Sequence, residues 1–398
     1  MTDLSSESAS APARTRARQE EGVQSEARTH GAGWTHTLLR VLQLVAVLYV
    51  FLLSIELLGG TFKLLGKDFA VGLIQTTSNP FTGLLIGIVA TSLVQSSSTV
   101  TSIVVGLVAG GGLTIPGAVP IIMGANIGTS VTNTIVALGH MARPQEFQRA
   151  FAGATVHDFF NLCAVVVFLP LEISTGFLHR SAEWAEQLLL GQGSVTFHSP
   201  IKMVVKPAAK LLEDGALALT GGLKVVAAVL LIVASLALLF LSLHLLVRIM
   251  KRLILGRVEV LMHRFVFRHA LAGLAAGTLI TVLVQSSSVT TSLTIPLLAA
   301  GFVTVEQIFP VVLGANIGTT VTALLASLVT GSTAALTVAL CHLFFNIYGI
   351  LLFYPLRRIP IGAAKGLGRL VTRSRLYAVA YVLLVFFFVP LGLIFFTR

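Results

Sequence analysis

The sequence predicts an all-α polytopic membrane protein built from two inverted repeats, each with a re-entrant helical hairpin and a broken transmembrane helix. Three observations lead there: the apolar weight of the chain, a duplicated set of polar motifs inside apolar segments, and an odd number of crossings per repeat. Of 398 residues, 55% are hydrophobic and 11% charged. No water-soluble core of ordinary proportions accommodates that balance. Apolar runs of the ~20 residues a helical span needs lie at 38–58, 147–170, 217–247, 334–354 and 377–396. Residues 1–33 read as a polar, disordered cytoplasmic tail. No short apolar core follows the start, so no cleavable signal peptide is expected.

The net charge of +11 raises the question of a nucleic-acid partner, and its distribution argues against one. Residues 248–268 carry six basic side chains against Glu259, and residues 357–375 carry six against none, which is the whole excess. Both segments flank spans, where basic residues mark the cytoplasmic side. Cys163 and Cys341 fall inside apolar runs and read as small buried side chains, not as a disulfide or metal site.

Sliding the chain by 190 positions aligns residues 95–138 with 285–328 without a gap, and 20 of the 44 positions are identical. The identities concentrate in Gln-Ser-Ser-Ser (95–98 and 285–288) and in Gly-Ala-Asn-Ile-Gly-Thr (124–129 and 314–319). A third pair, His157 to Asn161 against His342 to Asn346, follows at a slightly different offset. Doubling of this kind is common in transporters. Residues 34–170 therefore form repeat 1: an initial span, a hairpin at 81–112 with arms too short to cross, a helix at 116–138 broken where Gly124 and Gly128 bracket Asn126, and a final span. Residues 171–215 are an amphipathic external connector. Residues 216–355 form repeat 2, with its hairpin at 269–301 and broken helix at 305–328. Residues 356–398 hold a basic cytoplasmic loop and a terminal transmembrane helix.

Three crossings per repeat place the second repeat upside down relative to the first. With a cytoplasmic amino terminus, the segments 139–149, 248–268 and 357–375 all fall on the cytoplasmic side, and all are net basic. The hairpins then enter from opposite faces and meet near the midplane.

A cavity between them would be lined by Gln95, Ser96, Ser97, Ser98, Thr99, Asn126 and Thr129 from one half, and by Gln285, Ser286, Ser287, Ser288, Asn316, Thr319 and Thr320 from the other. None of these is charged. Half-helices beginning at Ser97, Ser287, Thr129 and Thr319 would aim free N–H groups at an oxyanion. Unwound carbonyls with Gln, Ser and Thr oxygens would suit a small cation such as sodium. Either ion alone is poorly neutralised in a low dielectric, whereas the pair compensate each other. A single Gln-Ser-Ser-Ser could be interhelical glue, but two copies at one spacing from the same partner motif outweigh that reading. His157 and His342 read as hydrogen-bonded packing residues. Asp158 has Leu343 as its counterpart and would pair with a basic side chain or lie near an interface. An intramembrane hydrolase using a motif serine with a histidine base would leave one of the two copies unexplained.

The paired motifs, the stretch Gly124 to Leu138 and the following Phe147 to Asn161 resemble the type II sodium-dependent phosphate cotransporters, with a bacterial relative indicated by the absence of a glycosylation acceptor and cysteine from the connector. The resemblance covers residues 83–161 and 273–346. It implies a non-enzymatic carrier in the plasma (bacterial inner) membrane, coupling inorganic phosphate to sodium by alternating access. It further implies that Gln95, Ser96, Ser97, Ser98, Gln285, Ser286, Ser287 and Ser288, with Asn126 and Asn316, bind phosphate. Gln95, Ser98, Thr99, Thr129, Gln285, Ser288, Thr319 and Thr320 would take sodium. The lipid bilayer is the other partner, no cofactor beyond the coupling ion is expected, and the oligomeric state stays open. Symport of another small oxyanion, or a sensor that binds phosphate without carrying it, also stays open.

Overall fold

A computed structural model describes residues 39, 41–65, 74, 78–190, 200–261 and 269–397. The tail at 1–33 and residues 262–268 of the second basic segment lie outside the described residues. The chain divides into two units, Met1–Leu48 and Tyr49–Arg398, and the second holds every motif. Among the described residues all regular structure is helical.

Among the described residues, seven helices are long and apolar enough to cross a membrane: α1 (Val41–Leu65), the pair α4–α5 (Ile115–Leu138), α6 (Pro144–Thr175), the portion Lys224–Ile249 of α9 (Lys224–Leu261), α13 (Val305–Thr330), α14 (Thr333–Phe353) and the terminal Arg375–Phe396. Three of them precede residue 176, three lie between 224 and 353, and one ends the described chain. Between the first and second of each three lies a pair of shorter apolar helices: α2 (Pro80–Val94) with α3 (Ser97–Gly110), and α10 (Ala270–Val284) with the arm Ser287–Ala300. That second arm is α11 (Ser287–Ser292) and α12 (Thr294–Ala300), interrupted at Leu293. Pro296 explains the interruption, since it has no N–H to offer the carbonyl four residues earlier; the matching residue of the first half is Gly106, and α3 runs on. Helices α7 (Phe177–Leu190) and α8 (Pro200–Leu219) connect the halves. Helix α15 (Arg358–Arg373) precedes a terminal span made of α16 (Arg375–Leu383), a π-helical turn (Leu384–Phe388) and α17 (Val389–Thr397).

The central helices overturn one expectation. Residues 305–328 were expected to break at Gly-Ala-Asn-Ile-Gly-Thr, but α13 is continuous from Val305 to Thr330, so Thr319 begins no half-helix. In the first half the helix is interrupted, yet at Thr129–Ser130, between α4 (Ile115–Gly128) and α5 (Val131–Leu138). The glycines serve close approach instead. A Cβ on Gly124 would stand 2.0 Å from the Leu84 carbonyl oxygen, and one on Gly314 2.0 Å from that of Leu274. Reciprocally, a Cβ on Gly87 would lie 2.0 Å from Ile121 O, and on Gly277 2.1 Å from Val311 O. Each hairpin's first arm is thus pressed backbone to backbone against the central helix through facing Gly-x-x-x-Gly pairs, the packing that a bilayer favours where no water drives helices together. The break after Gly128 accompanies a substitution between halves. Ser130 Oγ donates to Ile127 O at 2.7 Å. Asn133, where the second half has Ala323, donates to Thr291 Oγ1 at 2.8 Å.

Candidate functional site

Both tips have one backbone shape. Helix α2 ends at Gln95 with φ 56° and ψ 28°, and α10 ends at Gln285 with φ 57° and ψ 28°. These are the non-glycine residues with positive φ among the described residues, a conformation disfavoured for a side chain of this kind and held here twice. Each glutamine N–H closes its helix on a threonine carbonyl, Thr91 O at 2.7 Å and Thr281 O at 2.6 Å. The serine after it is extended and caps the second arm: Ser96 Oγ accepts from Thr99 N at 3.2 Å, and Ser286 Oγ from Val289 N at 3.3 Å. The duplicated motif is therefore a helix stop, a two-residue turn and a helix start.

The tips touch. Ser98 Oγ donates to the Gln285 carbonyl at 3.5 Å, and Ser288 Oγ to the Thr129 carbonyl at 3.4 Å. Ser97, Ser98, Thr99, Ser287 and Ser288 are buried, as are Asn126, Thr129, Asn316, Thr319 and Thr320, while Ser96, Gln285 and Ser286 are half-buried and Gln95 is exposed. Thr129, Thr319 and Thr320 donate to carbonyls of their own helices, Ala125 at 2.9 Å, Ala315 at 3.0 Å and Ile317 at 2.7 Å. Their oxygens keep lone pairs for a cation. No charged side chain stands among the fourteen.

The two asparagines that the sequence suggests as phosphate ligands are held in hydrogen bonds between the halves. His157 and Asn161, one turn apart on α6, reach Asn316 on the second half's central helix: His157 Nε2 donates to Asn316 Oδ1 at 2.5 Å, and Asn316 Nδ2 to Asn161 Oδ1 at 2.8 Å. His342 and Asn346 on α14 grip Asn126 of the first half in the mirrored way, His342 Nε2 to Asn126 Oδ1 at 3.0 Å and Asn126 Nδ2 to Asn346 Oδ1 at 3.2 Å. Asn161 Nδ2 also donates to Asn126 O at 2.8 Å. All six side chains are at most 3% exposed. Both polar atoms of each central asparagine are engaged, so the arrangement is a crosswise brace between halves. The histidines are hydrogen-bonded packing residues, as read from the sequence.

The structure adds residues that the sequence reading passed over. Thr322 Oγ1 donates to Gln285 Oε1 at 2.7 Å, and Gln285 Nε2 to Val282 O at 2.6 Å. Thr291 and Ser292 hold Asn133 across the halves, Ser292 Oγ donating to Asn133 Oδ1 at 2.9 Å. Only the repeat alignment signalled the hydroxyls among these, through the identity of Thr101, Ser102 and Thr132 with Thr291, Ser292 and Thr322. Asp158 was expected beside a basic side chain or at an interface; it is 3% exposed, and its Oδ2 accepts from the Tyr381 hydroxyl at 3.0 Å. That tyrosine belongs to the terminal span, just before its π-helical turn.

A family model described as Na+/Pi-cotransporter matches residues 50–195 and 238–396. The chain is similar to sodium-dependent phosphate transport protein 2A of Ovis aries, 37% identical over 428 residues that cover 89% of this chain and 67% of that protein. It is also similar to sodium-dependent phosphate transport protein 2B of Homo sapiens, 34% identical over 443 residues covering 88% and 64%. The chain spans about two thirds of the length of these relatives. No solved structure matches.

Proposed function

This chain belongs to the Na+/Pi-cotransporter family, and from that premise we propose that it carries inorganic phosphate across the membrane together with sodium, by alternating access at the two Gln-Ser-Ser-Ser tips. The family is one of transporters, not enzymes, and the chain is an integral multi-pass membrane protein. One observation carries the assignment of the site: two copies of one uncharged, hydroxyl-rich turn abut, with Ser98 Oγ on the Gln285 carbonyl. The hydroxyls of Ser96, Ser97, Ser98, Ser286, Ser287 and Ser288, with the Gln95 and Gln285 amides, offer donors to a tetrahedral anion. The start of α3 adds free N–H groups and the positive end of its dipole.

The chemistry of coupling follows from what the site lacks. Without a Lys or Arg, a phosphate in this position has no counter-charge of the protein's own, and its transfer from water is strongly unfavourable. Sodium held by Gln95, Ser98, Thr99, Thr129, Gln285, Ser288, Thr319 and Thr320 oxygens supplies that charge, and the anion in turn stabilises the sodium. Half-loaded forms are disfavoured and the empty and fully loaded forms interconvert. In this reading Asn126 and Asn316 position the tips through the brace.

The inverted-repeat arrangement is supported by where the hairpins are rooted. The far end of α3 lies at the end of α1, where a Cβ on Gly110 would be 2.7 Å from Phe62 Cβ. Lys202 on α8 stands 3.8 Å from Glu56 of α1 and donates to the carbonyl of Thr330, the last residue of α13. The far end of α12 is fastened instead at the start of α6, where Arg149 Nε and Nη2 donate to Ala299 O at 3.0 and 2.6 Å. Beside it Lys365 meets Glu306, near the start of α13, at 2.5 Å. The two roots thus lie toward opposite ends of a 26-residue helix, about 39 Å long at 1.5 Å per residue. This places the basic segments at 139–149 and 357–375 together, consistent with a shared cytoplasmic side and a cytoplasmic amino terminus in a plasma membrane.

The test is uptake of labelled phosphate by cells or vesicles containing the full chain. Replacing sodium by choline or potassium is expected to abolish uptake, and excess unlabelled phosphate to compete better than sulfate. Uptake that persists without sodium removes the proposal.

A further inference from the structure

Three buried hydroxyls that have counterparts at the 190-residue offset are without a hydrogen-bond partner: Thr91, Ser102 and Thr132. Their counterparts are all bonded. Thr281 Oγ1 donates to Thr290 Oγ1 at 2.8 Å, Ser292 Oγ to Asn133 Oδ1 at 2.9 Å, and Thr322 Oγ1 to Gln285 Oε1 at 2.7 Å. For two of the three the sequence supplies the reason. The position matching Thr290 is Val100, and the position matching Asn133 is Ala323, so Thr91 and Ser102 have nothing to bond. For Thr132 it does not, because the position matching Gln285 is Gln95, chemically identical and with the same backbone angles. What differs is where the glutamine side chain lies, and that Thr132 stands at the start of α5 after the break at Thr129–Ser130, whereas α13 runs on through Thr322.

Two further observations point the same way. Gln285 is half-buried, with both side-chain atoms bonded, whereas Gln95 is exposed. The contacts between tips are also unequal: Ser98 bonds the Gln285 carbonyl, but Ser288 bonds Thr129 O in place of the equivalent Gln95 carbonyl. A buried hydroxyl left unpaired is unfavourable and calls for an explanation in terms of another state or partner.

We propose that Thr132 and Thr322 are positioning residues, each fastening the glutamine of its own hairpin tip, and that the two fastenings close in turn during the transport cycle. The described structure has Gln285 fastened and Gln95 released. In the state facing the other side, Gln95 Oε1 accepts from Thr132 Oγ1, and Gln285 is the glutamine set free. The released glutamine is the one open to cargo arriving from its own side of the membrane. This inference rests on the symport reading above and adds to it the pair of residues that gates each tip.

The experiment compares Thr132→Val and Thr322→Val, which remove a hydroxyl at nearly constant volume, in the purified full chain and in proteoliposomes. Without phosphate, Thr322→Val is expected to lower the melting temperature, since it strips the Gln285 amide of a donor; Thr132→Val is expected not to lower it. Both are expected to reduce the maximal rate of sodium-dependent phosphate uptake by about three- to ten-fold, the loss of one neutral hydrogen bond, at unchanged abundance, with Thr132→Ser restoring the rate. Wild-type uptake by Thr132→Val overturns the proposal. So does a fall in its melting temperature equal to that of Thr322→Val, or its absence from the membrane, because either shows Thr132 bonded in the described state. If wild-type protein takes up phosphate without sodium, the symport reading fails instead, and the two melting temperatures still decide the fastening.

Discussion

Substituting Asn316 distinguishes a brace from a ligand. Asn316→Leu keeps the side-chain volume nearly constant and removes both polar atoms of the amide. The His157 Nε2–H and the Asn161 Oδ1 then lose their partners at 2.5 and 2.8 Å, in a place where both residues are 0% exposed and water cannot substitute. An unsatisfied buried group costs about 1–3 kcal/mol, so two orphans lower stability by about 2–6 kcal/mol. Adding His157→Phe removes one of the orphans. The double variant is therefore expected to be more stable than the sum of the single effects allows, with a coupling of about 1–3 kcal/mol. The assay is reversible unfolding of the four proteins in mixed micelles, followed by tryptophan fluorescence or circular dichroism. Additive effects would refute the brace. So would an Asn316→Leu protein as stable as wild type that no longer takes up phosphate, since that combination belongs to a ligand.

Three other substitutions follow from the same geometry. Gly314→Val puts branched carbons where a Cβ would already stand 2.0 Å from Leu274 O; backbone cannot yield there, so loss of the monodisperse folded species on size exclusion is expected, with Gly314→Ala less severe. Gln285→Ala leaves the Thr322 hydroxyl without its acceptor; it, and likewise Ser97→Ala, should abolish phosphate uptake while the protein remains in the membrane, and wild-type rates in both would remove the site assignment. Tyr381→Phe takes the remaining donor from Asp158, whose Oδ1 already has none, and a melting temperature below wild type is expected from a loss of about 1–3 kcal/mol.

The parts legible in the sequence are those where composition and spacing leave one physical solution. Gln-Ser-Ser-Ser between arms of about fifteen apolar residues has to turn, because polar backbone at that depth needs a helix stop and a cap; Gln95 and Gln285 are those stops. The span order was legible because hydropathy runs are long. Gly124 and Gly128 misled, because glycine both weakens a helix and lets two helices meet. The discriminating signal was present in Gly83 and Gly87, and in Gly273 and Gly277, which repeat the four-residue spacing on the preceding arm and mark it as the facing surface. The brace was out of reach for a different reason. His157 pairs with a residue 159 positions away and Tyr381 with one 223 away, and no local pattern encodes which polar group meets which across a helix bundle.

That brace also bears on how a symporter of this design would alternate. A motion that drew the two halves apart would strip Asn126 and Asn316 of four bonds between buried groups, at about 1–3 kcal/mol for each group left unpaired. A motion confined to the hairpin tips breaks less: the Ser98 to Gln285 contact at 3.5 Å and the Ser288 to Thr129 contact at 3.4 Å, both at the long limit for hydroxyl donors, and the Thr322 to Gln285 bond at 2.7 Å where that glutamine is released. The less costly path keeps α4, α6, α13 and α14 as a frame and moves the turns against it. The inequality between Gln95 and Gln285 fits that path, since two glutamines with the same backbone angles on one braced frame differ in where their side chains lie and in what those side chains hold.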